Sequence, residues 1–142
     1  MFLLTDKYDI KDSDSFIHIT PKENLKGILG LSSDKELDDV LAQIAKNKIH
    51  RKIHLKSSKG IFKNLTAGFC RDGYTYFFRN NISDFSMFLN LCGRHQHFKN
   101  VKITIPAYAM KGMLSTVQYR RIDGTIMLEG DYRGDAIIER VI

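Results

Sequence analysis

A chain of 142 residues is long enough to bury one hydrophobic core and too short for two ordinary domains. With 43% apolar and 27% charged residues it has the balance of a globular fold, which excludes global disorder, and no apolar run reaches membrane-spanning length. The formal net charge of +6 points toward an anionic partner, while the two cysteines lack any spacing that suggests zinc, and nothing in the sequence supports a disulfide between them.

Residues 1–15 are rich in Asp and Lys and read as an irregular leader, in which Phe2, Leu3 and Leu4 can dock as an edge strand. That apolar patch is too short for a signal peptide ahead of Asp6 and Lys7, so the expected compartment is the cytoplasm, with no membrane association. Residues 16–142 form the single expected domain. It opens on a strand carrying His18, followed by a helix: Thr20 fits an N-cap, Pro21 the first helical position and Glu23 the third, and Leu25, Ile28 and Leu29 supply an apolar face. Ser33 and Glu36 form a second capping box, with Leu37, Val40, Leu41 and Ile44 at helical spacing, which predicts a helix over 34–47.

From 40 to 71 there is no acid after Asp39, yet Lys46, Lys48, Arg51, Lys52, Lys56, Lys59, Lys63 and Arg71 fall there with His50 and His54 interleaved. This block either continues the helix or turns into a strand near Ile53 and Leu55. It is a candidate contact surface for nucleic acid or for an acidic protein, carried by Lys48, Arg51, Lys52, Lys56 and Lys59. The ordinary alternative is a solvated face that balances acids elsewhere, and residues 46–60 have no aromatic for base stacking.

Ser57-Ser58-Lys59-Gly60 and Arg71-Asp72-Gly73 are loop signals, and the second leads into the aromatic strand Tyr74-Thr75-Tyr76-Phe77-Phe78. Ser83 caps a further apolar helix that ends at Gly93. Val101, Ile103 and Ile105 alternate with Lys102 and Thr104 as a half-exposed strand closed by Pro106, and two more strands follow over 122–128 and 136–142. This order predicts an α+β domain: a mixed or antiparallel sheet flanked by helices.

Cys70 and Cys92 read as core thiols. His95 and His97 lack an acidic or thiol companion, and His50 and His54 lack the intervening glutamate of a metalloprotease helix, so no metal site is expected.

Three segments in this order resemble the small ADP-ribosyltransferase-like domains of the toxin and DNA-modifying branches. They are His18-Ile19-Thr20 before the Asn24-Leu25 helix, Gly73 to Phe78 followed by Ser83, and Arg121 to Tyr132 with its acids. The resemblance implies an ADP-ribosyltransferase-like fold over 16–142 and an NAD-dependent enzyme that transfers ADP-ribose to a macromolecular acceptor, protein or nucleic acid. It implies that His18 and Thr20 anchor NAD, that Tyr74 or Tyr76 stacks on the nicotinamide, that Ser83 supports the strand-to-helix join, and that Asp123 or Glu129 is catalytic. A carboxylate suits this role because cleavage of the nicotinamide–ribose bond develops positive charge on the sugar. Asp123 precedes the apolar run and Glu129 follows it, so both stay candidates. Each residue also has an ordinary reading: His18 as a satisfied core group, the tyrosines as strand packing, Asp123-Gly124 as a turn. The competing class is a non-catalytic basic protein, such as a phage-type inhibitor, bound to nucleic acid or to an acidic protein surface.

Overall fold

The computed structural model describes residues 4–57, 72–81, 100–121 and 124–140. The segments around Ser58 to Cys70, the Ser83 helix, Cys92, His95, His97 and Asp123 lie outside them.

The expected α+β class is not what the chain adopts. Among the described residues, eight strands form one sheet and every pairing is antiparallel, whereas helix is confined to a few short pieces, so the domain is nearer to all-β. The strands are β1 Thr5–Lys7, β2 Ser15–Pro21, β3 Ile49–Leu55, β4 Tyr74–Arg79, β5 Asn100–Pro106, β6 Val117–Arg120, β7 Ile126–Glu129 and β8 Tyr132–Arg140, in spatial order β1-β6-β7-β4-β2-β5-β8-β3. The helices are α1 Leu25–Leu29, α2 Asp34–Lys46 and α3 Ala107–Lys111. Among the described helices only α2 runs beyond two turns, along an apolar stripe of helical period.

At α2, the Ser33 Oγ accepts from the Glu36 amide at 3.2 Å as predicted, while the Glu36 carboxylate turns back to the Ser32 amide and hydroxyl rather than to Ser33. The first helix departs from its predicted start. β2 runs on through Pro21, whose ψ of 142° is extended, and a 3-10 turn over Lys22–Asn24 precedes α1. Thr20 is paired with Val101 in the sheet, so its hydroxyl accepts from the Asn24 side chain at 2.8 Å instead of capping a backbone amide. Gly30 ends α1 in the left-handed conformation at φ 68°, as a helix C-terminus favours.

Part of the expected leader is an edge strand. β1 pairs with β6, Arg121 holds Asp6 through two hydrogen bonds of 2.7 and 2.8 Å, and the Tyr8 ring packs edge-on against Phe16 and stacks on Tyr119.

The sheet is strongly curled. β7 and β8 are four strand spacings apart, about 19 Å in a flat sheet, but only Gly130 and Asp131 join them, and three Cα–Cα steps reach about 11 Å at most. Consistent with this, Phe77 on β4 meets Tyr132 on β8 with ring centroids 6.2 Å apart, although β2 and β5 lie between those strands. Phe16, Phe77, Ile103, Ile105, Ile126, Leu128, Tyr132 and Ile138 fill the concave side, and Leu25 of α1 with Val40 and Ile44 of α2 close it. No helix among the described residues is long and apolar enough to cross a membrane.

Candidate functional site

The three motif-bearing segments, remote in sequence, occupy neighbouring strands: β7, β4 and β2 are consecutive in the sheet. β2 and β4 pair at Phe16↔Arg79 and Ile17↔Phe78, and no further pairs follow. Beyond that point the His18 side chain takes over, with Nδ1 2.8 Å from the Tyr76 carbonyl oxygen. Because a carbonyl only accepts, Nδ1 carries the proton and Nε2 presents a lone pair. Burial pushes the imidazole below its ordinary pKa, against the opposing effect of the Tyr76 bond, so it is neutral at pH 7. No described residue hydrogen-bonds Nε2. The ring also meets Phe77 edge-on at 5.7 Å. Thr20 is 6% exposed and engaged by Asn24.

Cross-strand partners share a face of the sheet. By register, His18 and Thr20 lie on the side of Ile103, Val101 and Phe77, whereas Tyr76 pairs with Met127 and Tyr74 with Glu129 on the opposite side. The structure therefore brings Tyr74 beside the exposed Glu129, and brings His18 onto the Tyr76 backbone, but it does not gather these side chains on one face. Ser83 and Asp123 lie outside the described residues. Gly124 has φ 74° and donates its amide to the Arg120 carbonyl at 2.9 Å.

Sequence reasoning did not single out Arg120 from its neighbours. It is only 3% exposed, its guanidinium stands 5.7 Å from the Tyr76 ring centre, and Nη2 donates to the Thr125 hydroxyl at 3.3 Å. A buried cation over an aromatic face gains from the ring quadrupole without water screening it. No periodic signal separates this arginine from Arg121, which pairs with Asp6 at the surface.

Within the basic block, Ile49–Leu55 forms β3, the last strand of the sheet among the described residues, and the described contact candidates divide into two groups. Asp131, just before β8, and Asp135 and Glu139 on β8 follow at four-residue spacing, and each meets β3 or its flank. Glu139 Oε2 is 3.5 Å from Lys48, Asp135 Oδ1 3.0 Å from Lys52, and Asp131 Oδ2 2.7 Å from His54 Nε2. Lys48 and Lys52 thus clamp the edge strand to its neighbour. Arg51 and Lys56 enter no ion pair with a described residue, and Lys59 lies outside.

Asp131 is the best-held carboxylate of this ladder. The Ser57 amide donates to Oδ1 at 2.8 Å and His54 engages Oδ2, and these hydrogen bonds pull the carboxyl from 3.8 down to about 2. A depressed carboxyl pKa stabilises the fold above the unfolded value and loses that contribution as pH falls toward the folded one. With the side chain 35% exposed, solvent screening reduces the effect, and Asp131→Asn is expected to lose about 1 kcal/mol at pH 7. The gap between variant and wild type in urea denaturation should close between pH 5 and about pH 2. A gap that is constant across that range would rule out the Asp131 charge as its source.

An open cleft of about 400 Å³ lies apart from these residues, lined by Lys7 to Ile10 and by Met110, Lys111, Met113 and Ser115 to Val117. None of the predicted site residues borders it. No protein-family model, no curated protein and no solved structure matches this chain.

Proposed function

We propose that the protein is an NAD-dependent ADP-ribosyltransferase acting on a macromolecule, with its site at the opening between β2 and β4. One observation carries this reading: the His-x-Thr strand, the Tyr-rich strand and the Glu129 strand are immediate neighbours, and the β2–β4 ladder stops just before His18. There a neutral imidazole held by the Tyr76 carbonyl offers an unshared Nε2 acceptor to a ligand donor such as an amide or a ribose hydroxyl.

NAD, when bound, supplies the ADP-ribosyl group and its leaving nicotinamide. The chain supplies orientation and charge. His18 fixes a ligand donor through Nε2, Thr20 and Asn24 brace the β2 end, and Tyr74 or Tyr76 offers an aromatic face. Glu129, with Asp123 as the alternative acid, provides the negative charge that stabilises positive charge developing on the sugar. Since His18 and the tyrosines lie on opposite faces, the ligand has to occupy the opening between the strands rather than rest on one face of the sheet.

Thermal unfolding in millimolar NAD tests the reading directly, because a ligand that binds only the native state raises its stability by RT ln(1 + [L]/Kd). At ten times Kd this is about 1.4 kcal/mol, a rise of roughly 3–5 °C for a domain of this size. Wild type is expected to shift, His18→Ala to lose the shift, and Glu129→Gln to keep the shift while losing transfer of labelled ADP-ribose if Glu129 is the acid. No shift of the wild type at 5 mM NAD would sink the proposal.

A further inference from the structure

The charge left over on the sheet edge has a pattern of its own. Among the described residues, Lys46, Lys48, Arg51, Lys52, Lys56, Arg133 and Arg140 are exposed cations at the end of α2 and along β3 and β8, against three carboxylates, Asp131, Asp135 and Glu139. Those three acids are taken by His54, Lys52, Lys48 and Lys102. Lys46, Arg51, Lys56, Arg133 and Arg140 enter no ion pair with a described residue and keep their full charge toward solvent. The acids of the adjoining helix, Asp34, Glu36, Asp38 and Asp39, sit in its first half, so its basic end is the one that meets β3.

We infer that this edge binds the phosphate backbone of a double-helical nucleic acid. Three features select that partner. From Lys48 to Lys56 the edge runs for about 27 Å at a strand rise of about 3.4 Å, which matches about eight base-pair steps. The unpaired cations are distributed over both faces of the edge: Arg51 lies on the side of Ala136, and Arg133 lies on the other with His54. Finally, β3 and β8 themselves carry no exposed aromatic side chain among the described residues, since Tyr132 is fully buried, and the exposed Tyr108 beside them is a single ring tied by its hydroxyl to Asp135 at 3.1 Å, so the rail offers a row of cations to phosphates rather than a row of rings to unpaired bases. Binding is therefore independent of sequence and prefers a duplex to a single strand. That this duplex is the ADP-ribose acceptor rests on the transferase reading, whereas the binding itself does not.

Titration of the full chain with 20-bp DNA and RNA duplexes of arbitrary sequence, at 50 to 200 mM salt, tests the assignment. Five phosphate contacts predict a slope of log K against log salt of about −4.5, or roughly a 500-fold loss of affinity over that range. Replacing Arg51, Lys56 and Arg133 with Gln should reduce the slope by about 2.7, at about 0.9 per contact, with melting temperature and NAD-induced shift unchanged. Replacing Lys48 and Lys52 with Gln should change the slope by less than one unit and lower the melting temperature instead, because those side chains serve the clamp. DNA bound more tightly than RNA, or the reverse, identifies which duplex is the partner. An unchanged slope in the triple variant, equal competition by polyglutamate, or a preference for single strands overturns the assignment. A missing NAD shift alongside a normal salt slope overturns only the enzymatic reading.

Discussion

Phe77→Ala is expected to remove about 3–5 kcal/mol of folding free energy, the range for deleting a fully buried aromatic side chain. Phe77 is 0% exposed and sits where the two halves of the curled sheet meet, with Tyr132 edge-on at 6.2 Å and 81° and His18 at 5.7 Å. The cost has two parts: the transfer of a large apolar group, and a cavity that stiff strands on either side cannot collapse to fill. Small domains have about 5–15 kcal/mol in total, so the variant should be marginal at 37 °C, with a much lower urea midpoint. A double-mutant cycle sharpens the test. Because Phe77 and Tyr132 touch only if the sheet is curled, Phe77→Leu and Tyr132→Leu should couple by at least about 0.5 kcal/mol. Strict additivity would mean that β4 and β8 do not face each other across the core.

Gly134→Ala is expected to destabilise by about 1–3 kcal/mol, opposite in sign to the usual effect of this substitution. Gly134 is not among the residues of positive φ, so alanine is compatible with its backbone and would otherwise gain about 0.4–1 kcal/mol from a less disordered unfolded chain. The obstacle is space. A Cβ there would stand 2.7 Å from the Tyr132 hydroxyl oxygen and 3.2 Å from its ring carbon. The Tyr132 ring has nowhere to go, since it is fully buried and its hydroxyl donates to the Asp135 carbonyl at 2.6 Å. Tyr132→Phe removes the closest atom, so the double variant should lose less than the sum of the two single losses in urea denaturation. A neutral or stabilising Gly134→Ala would show that the tyrosine ring does not lie along β8 over this glycine.

The chain's local chemistry was legible wherever a short-range interaction decides it. The Ser33 cap and the stripe of Leu37, Val40, Leu41 and Ile44 specify α2, the alternation of Val101, Ile103 and Ile105 specifies β5, and the aromatic run specifies β4. The histidine strand was legible in the same way, whereas the opening beside it depends on where the β2–β4 pairing stops. The fold class was not legible in the same way. β1 is three residues long and has no apolar alternation of its own; it exists because β6 supplies its hydrogen bonds, as at Thr5↔Arg120 and Lys7↔Gln118, and the four-residue β6 is itself held between β1 and β7. The same dependence extended β2 through Pro21 and turned the Thr20 hydroxyl away from its expected cap, because the Val101 and Asn100 partners on β5 lie 80 residues away in the chain.

Charge tells the same story at the site. Eight basic side chains without an intervening acid read as one surface in the sequence, since the partners of Lys48 and Lys52 on β8 come 91 and 83 residues later. Only the register of β3 against β8 separates Lys48 and Lys52, held by carboxylates, from Arg51 and Lys56, which face water. Propensity, capping and periodicity act within about a dozen residues, and so the sequence by itself determined the individual elements and the residue types available for chemistry. Which strands are neighbours, which faces are shared and which charges cancel are set by long-range pairing, and these the tertiary structure alone decided.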